Sequence, residues 1–442
     1  MRALLLLVCR LTLRVFFRQV QIVGLERVPA GGNLMFAINH PNGLIDPLFI
    51  LCYSDRPVSF LAKAPLFRMP VVGYFVKAFR CLPVYRRQDN FDPAQNRVMM
   101  QQAARLLAEG CALALFPEGT SHSDPRMKPF RSGAARIALS AAQLSGAPVD
   151  LVPVGLYYTK KQVFRSSALM LFGDPIRVLG QSLDVQGEPP SESVRELTNE
   201  LARRIGALTL QAETTEAVDL AKLVERIIAA AERDAGSAIS MSMADRLALR
   251  QRLLAGQSSL EGQREVELLV ERVRGFEARM RALGLRIDQP FHRSGRGAIR
   301  SLFGRVVQLV ALLVPGGIGL VGHYPTYRLV GYIAFRYACK ELDVLATVKV
   351  VAGLLLFPAT WALAAAWVGW QTQAWIGLST LVLLPLCGWC ALRFVELMAA
   401  LAVGGRALWL QWVRPRLVDD IVTERRAIRD EVRRLAELLA HA

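Results

Sequence analysis

Histidine is scarce in this chain, with five among 442 residues. They stand at positions 40, 122, 292, 323 and 441, in none of the spacings that hold a metal ion, so no metal site is expected. Cysteine is nearly as sparse. The seven thiols follow no framework spacing and sit mostly in apolar surroundings, which excludes a disulfide-stapled scaffold and points to a reduced compartment. Cys387 and Cys390 have the spacing of a redox pair but fall inside an apolar span, where packing is the expected role. No G-x-S-x-G pentapeptide occurs, which excludes the nucleophile elbow of the serine lipases. Lysine supplies only eight of the 54 basic residues, leaving arginine, the better bidentate ligand for phosphate, as the main cation.

What the chain does have is charge and apolar length. The net charge is +17, and residues 1–211 carry most of the excess, with 25 basic and 15 acidic side chains. Charge alone suits nucleic acid, anionic lipid or phosphorylated substrates. A hydrophobic content of 53% favours the last two, because it comes with membrane-length segments. Residues 350–370 and 371–392 run without charge and each can cross a bilayer, with Gln371-Thr372-Gln373 as the turn between them. Lys349 and Arg393 flank this hairpin, which by the positive-inside rule puts both its ends in the cytoplasm. Residues 306–324 are interrupted by Pro315-Gly316-Gly317, so a re-entrant or interface-lying pair of half-helices is expected there. At the other end, Arg10, Arg14 and Arg18 recur every four residues. Residues 1–19 therefore read as an amphipathic helix in the interface of an anionic membrane, a cleaved signal peptide being the alternative.

Between these ends, short apolar runs alternate with helical stretches. Strands are expected at Asn33–Ile38, Val58–Ala62, Leu82–Tyr85, Ala112–Phe116, Leu151–Tyr158 and Leu169–Phe172, and helices at Asn96–Glu109 and Ala134–Leu144. This is the pattern of an α/β layered domain with a mostly parallel sheet, placed at residues 20–211. A charged helical segment (212–300) follows, then the membrane region (301–442) with transmembrane helices and an exposed cytoplasmic helix over Asp419–Leu439.

Ligands bind at strand ends in such sheets, and four strand ends carry polar or turn-forming residues. The first reads NHPNGLID (39–46), where His40 and Asp46 lie on a turn into a helix that starts near Pro47. A histidine beside a carboxylate is equipped to take a proton from a hydroxyl near neutral pH. The others are LPVYRRQD (82–89), FPEGTSHSDPRMKPFRSG (116–133) and VPVGLYY (152–158). Glu118 reads either as a helix cap or as a substrate contact, and His122 as a ligand, a partner of one, or an exposed loop residue.

Together these segments resemble the four ordered blocks of the glycerolipid acyltransferases, over roughly residues 20–180. The resemblance implies an acyltransferase-like fold, with His40 as general base and Asp46 as its orienting partner. Arg86 resembles the arginine that contacts the acceptor phosphate. Glu118, Gly119 and Thr120 match the acceptor-binding block, and Lys128 or Arg131 stands in for an arginine which that block commonly has where this chain has Ser121-His122. Five residues separate His40 from Asp46 where the commoner form has four. Both departures resemble the branch that acylates glycerol 3-phosphate or dihydroxyacetone phosphate. The same resemblance implies a membrane-bound O-acyltransferase of phospholipid synthesis, its catalytic domain on the cytoplasmic face of the cytoplasmic membrane. The acyl donor would be acyl-CoA or acyl carrier protein, a co-substrate rather than a cofactor, and the acceptor glycerol 3-phosphate or 1-acylglycerol 3-phosphate. Membrane lipid is a partner and nucleic acid is not. Another lysophospholipid or an aminolipid as acceptor, or a non-catalytic lipid-binding protein, are the alternatives.

Overall fold

The computed structural model describes residues 2–69, 72–85, 93–236, 241–259, 263–291, 295–337 and 342–441, and the chain divides into two compact units. The first comprises residues 1–213 and 337–350. Its chain order is α1 (Arg2–Phe16), β1 (Phe17–Val23), β2 (Asn33–Ile38), α2 (Ile45–Tyr53), β3 (Val58–Lys63), α3 (Val72–Ala78), β4 (Leu82–Val84) and α4 (Pro93–Ala108). There follow β5 (Ala112–Leu115), α5 (Gly133–Ser145), β6 (Val149–Tyr158), β7 (Ser166–Phe172), β8 (Ile176–Val178) and α6 (Ser191–Leu208).

The strands form one sheet in the order β1-β7-β6-β2-β5-β3-β4, with β8 beside β6. Its centre is parallel, and the antiparallel pairs are β6 with β7 and β6 with β8. All six residues of β2 are buried, as a central strand covered on both faces requires. Alternate side chains serve alternate faces. Leu34, Phe36 and Ile38 join the core on the side of α1 and α2, while Met35 and Ala37 join the one on the side of α4, α5 and α6. The result is a three-layer α/β/α sandwich.

All six expected strands are present, along with β1 and β8, which the sequence reading missed. β1 also shortens the expected N-terminal helix: α1 stops at Phe16 and Arg18 lies on a strand, so the three arginines do not share one helical face. Cys9, Leu13 and Phe16 of α1 enter the core, whereas Leu4, Leu7 and Leu11 are exposed.

The second unit, residues 214–336 and 351–442, is helical. It contains α7 (Thr215–Asp234), α8 (Met243–Ser259), α9 (Arg264–Ala282), α10 (Gly295–Ala311), α11 (Leu313–Tyr337), most of α12 (Leu342–Gln371), α13 (Ala374–Val413) and α14 (Pro415–His441). α14 is not the exposed helix expected from its charges. Val418, Ile421, Ile428 and Leu435 are buried with residues of α7 and α9, and Arg425, fully buried, bonds Asp234 at 2.8 Å. Among the described residues, two helices are long and apolar enough to cross a membrane, Val344–Gln371 and Ala374–Val413. The chain turns between them at Thr372 and Gln373, inside the polar tripeptide expected to do so. Leu302–Ala311 and Leu313–Tyr337 form a pair bent by 63°, a broken span or re-entrant loop. The bend falls at Leu312, three residues before Pro315, which then occupies the first turn of α11, where its missing N–H costs no hydrogen bond.

Candidate active site

Parallel strands bring their C-terminal ends to one edge of the sheet, and β2 and β5 lie side by side. NHPNGLID leaves β2 and FPEGTSH leaves β5, so the two segments meet. Asn39 extends the ladder beyond β2: its side-chain amide accepts from Leu156 N–H at 2.7 Å and donates to Leu156 C=O at 3.0 Å, as a further strand residue would. The chain then turns through Gly43, whose positive φ (39°) suits glycine, and enters α2.

That turn brings His40 Nδ1 to 2.9 Å from Asp46 Oδ2. Asp46 is fully buried, and its other bonds come from the Asn42 N–H (2.7 Å) and the Tyr158 hydroxyl (2.6 Å). Burial, followed by the charge and hydrogen bond of Asp46, raises the Tyr158 pKa well above its ordinary value, so the phenol remains a donor. With Nδ1 committed to Asp46, Nε2 is the nitrogen left for a reacting proton, the tautomer following from the hydrogen-bond network. The imidazole stacks on Phe116, centroids 3.9 Å apart and planes at 12°, and its side chain is 11% exposed.

Glu118 binds the two turns together. Its Oε1 accepts from the His40 N–H (2.9 Å), while Oε2 accepts from the Lys128 N–H (2.9 Å) and from His122 Nε2. Burial opposes its ionisation, but these bonds outweigh the penalty and hold its carboxyl below the usual range. The carboxylate is buried with both oxygens engaged by the protein, and these bonds brace the two turns against each other. His122, left open by the sequence, is its partner. Gly119 adopts φ +73°, and a Cβ there would lie 2.7 Å from Arg131 Nε, so the exposed Arg131 side chain lies across the glycine. Lys128 pairs with Asp124 at 3.7 Å, and half-buried Thr120 contacts Ser121 C=O at 3.4 Å. Arg86 lies outside the described residues. The Tyr85 N–H just before it is fixed by Asn96 Oδ1 of α4 at 2.9 Å.

Three contributors escaped the sequence reading. Tyr158 falls in VPVGLYY, in alternation with Val152, Val154 and Leu156 of the same core, and that period was its signal. Lys161, whose Nζ donates to Pro41 C=O (2.6 Å) and His122 C=O (2.9 Å), follows the same segment with no motif of its own. Thr347, far along the chain, accepts from the Leu44 N–H at 3.1 Å.

The sequence has counterparts among known proteins. The family description Acyltransferase matches residues 19–157, and a second, Glycerol-3-phosphate acyltransferase 2 C-terminal domain, matches residues 234–440. Both stretches are thus similar to acyltransferases. Among its relatives, an uncharacterized acyltransferase of Schizosaccharomyces pombe is 22% identical over 78% of this chain and 65% of its own. Glycerol-3-phosphate O-acyltransferase 2 of Saccharomyces cerevisiae is 24% identical over 57% of this chain and 35% of its own. The chloroplastic 1-acyl-sn-glycerol-3-phosphate acyltransferase BAT2 of Brassica napus is 28% identical over 37% of this chain and 44% of its own. The chain therefore spans about a third to two thirds of the length of these relatives. The second match reaches well beyond the blocks legible in the sequence and covers most of the helical unit.

Proposed function

We propose that this chain is a membrane-bound enzyme that moves a fatty acyl group from an acyl thioester, acyl-CoA or acyl carrier protein, to the hydroxyl of glycerol 3-phosphate or 1-acylglycerol 3-phosphate. The observation that carries this reading is His40, aligned by a buried carboxylate that is itself held by Asn42 and Tyr158. His40 Nε2 takes the hydroxyl proton as the oxygen attacks the thioester carbonyl. The tetrahedral adduct collapses with cleavage of the C–S bond, and the departing thiolate receives the proton. A base so placed contributes about 10²–10⁴-fold. No protein nucleophile is needed, because the donor is already activated.

Arg86 and Arg131 are assigned to the acceptor phosphate, and Lys128, Gly119 and Thr120 to the neighbouring wall of the acceptor site. The two apolar helices anchor the enzyme in the cytoplasmic membrane, with the α/β unit on the cytoplasmic side. The exposed Leu4, Leu7 and Leu11 fall within one stripe of α1 and rest it on the lipid surface.

The test is acyl transfer by the purified protein in vesicles, with a labelled acyl thioester offered to glycerol 3-phosphate, its monoacyl form, other lysophospholipids and an aminolipid. A labelled phosphate-bearing product, lost in His40→Ala with vesicle binding retained, is the expected result. Product from a phosphate-free acceptor alone would overturn the role of Arg86, and unchanged transfer by His40→Ala would overturn the mechanism.

A further inference from the structure

The first two turns of α12 belong to the α/β unit. Residues up to Val350 group with it, Ala346 is fully buried in the same core cluster as Phe36 and Phe49, and Val350 packs against that cluster. Lys349 Nζ donates to Gln162 C=O at 2.7 Å, in the loop whose Lys161 reaches Pro41 and His122. Thr347 Oγ1 accepts from the Leu44 N–H at 3.1 Å.

The last contact meets a specific need. Leu44 is the N-cap residue of α2, and its own side chain makes no capping bond. The first N–H groups of a helix have no acceptor within it. The usual remedy, a nearby carboxylate, is committed here: Asp46 takes His40, Asn42 N–H and Tyr158. The acceptor for Leu44, two residues before Asp46, comes from the other end of the chain.

We propose that Thr347 is a positioning residue of the active site, which fixes the turn carrying His40 and Asp46 to the helix that enters the membrane. The candidate span from Val344 is 28 residues, about 42 Å of helix against a hydrocarbon core of roughly 30 Å, so its first turns need not lie in lipid. Thr347 stands three residues, about 4.5 Å of rise, before the uncharged run that begins at Val350. One helix thus holds the catalytic turn at its start and anchors the chain further on. Small displacements of a reacting group are costly, up to about 10²-fold for 1 Å, which makes a single tether kinetically visible.

The inference rests on the reading of His40 as the base, and the experiment separates the two. Thr347→Val and Thr347→Ser are assayed as full-length protein in vesicles, beside His40→Ala, with thermal unfolding measured on each. Valine keeps the shape and removes the acceptor; serine keeps the acceptor. The expected result is a roughly tenfold fall in kcat for Thr347→Val with KM for donor and acceptor within about twofold, and kcat within about twofold of wild type for Thr347→Ser. Where Thr347→Val does not fold, Thr347→Ala takes its place with the same expected loss and the same serine comparison. Wild-type kcat in the valine variant, or an equal loss in the serine variant, overturns the role of Thr347 while leaving that of His40 standing. Unchanged activity in His40→Ala removes the foundation of both.

Discussion

Tyr158→Phe removes a single oxygen from the site and leaves its packing in place. The ring lies 5.6 Å from Phe17 and 5.8 Å from Phe49 between centroids, and phenylalanine keeps both contacts. What disappears is the donor to Asp46 Oδ1, on a carboxylate with no exposure to water. A hydrogen bond to a buried charged group contributes about 1.5–3 kcal/mol. For a unit of this size each kcal/mol lowers the melting temperature by roughly 2–4 °C, so a fall of about 3–12 °C is expected. Oδ2 keeps the Asn42 N–H, so His40 retains its partner but the carboxylate loses one of its anchors. If about half of the lost energy reappears in the transition state, kcat falls about four- to thirteenfold, since 1.36 kcal/mol is tenfold in rate. Because the Tyr158 pKa is raised well above its ordinary value, the deficit is the same at pH 6 and pH 9. Asp46→Asn goes further, since an amide must set an N–H against the Asn42 N–H or the Tyr158 hydroxyl, and kcat then falls by about 10²–10⁴. Unfolding curves and kcat across pH for both variants check this. A Tyr158→Phe protein with wild-type melting temperature and kcat would show that the hydroxyl does not hold Asp46.

Glu118 supplies a pH dependence of stability. Its folded pKa is lowered, so its contribution is fully present above its unfolded value, about 4.3, and is lost as pH falls through the folded value. Urea midpoints from pH 3 to 7 are expected to drop on the acid side for the wild type and to change less for Glu118→Gln, which is already weaker at pH 7 by about 1–3 kcal/mol through a donor left without an acceptor. An unchanged acid limb in Glu118→Gln would remove the bracing role. Deletion of Gly43 restores the commoner four-residue gap between histidine and aspartate, yet is expected to abolish transfer, because the turn through φ 39° is what closes the six-residue step from His40 to Asp46. Retained activity in that deletion would mean that the closure does not depend on this turn.

Much of the α/β unit was legible because its central strands are apolar throughout. The run Asn33–Ile38 coincides with β2, since residues buried on both faces leave little ambiguity of register. β1 was hidden by its position. It lies at the sheet edge, its residues after Phe17 are at most partly buried, and it continues from α1 with no turn residue between them. β8 has three residues, too few for any period to show. The misreading of α14 has another cause. Its apolar stripe is narrow among many charges, and a buried Arg425 facing Asp234 makes a core position look like a solvent one.

The site divides along the same line between local and distant. His40 and Asp46 are six residues apart with Pro41 and Gly43 between them, so a turn that joins them can be read from their own segment. The roles of Glu118 and Tyr158 depend on topology instead. Glu118 reaches the His40 N–H because β5 lies beside β2, and Tyr158 reaches Asp46 because β6, on the other side of β2, runs past the end of that strand. No spacing in the sequence encodes those adjacencies. It is also why the contacts of Glu118 could not be read from its own segment: its carboxylate bonds go to His40, His122 and Lys128. The Arg131 side chain lies across Gly119, so the glycine matters to the site by leaving the space that arginine fills.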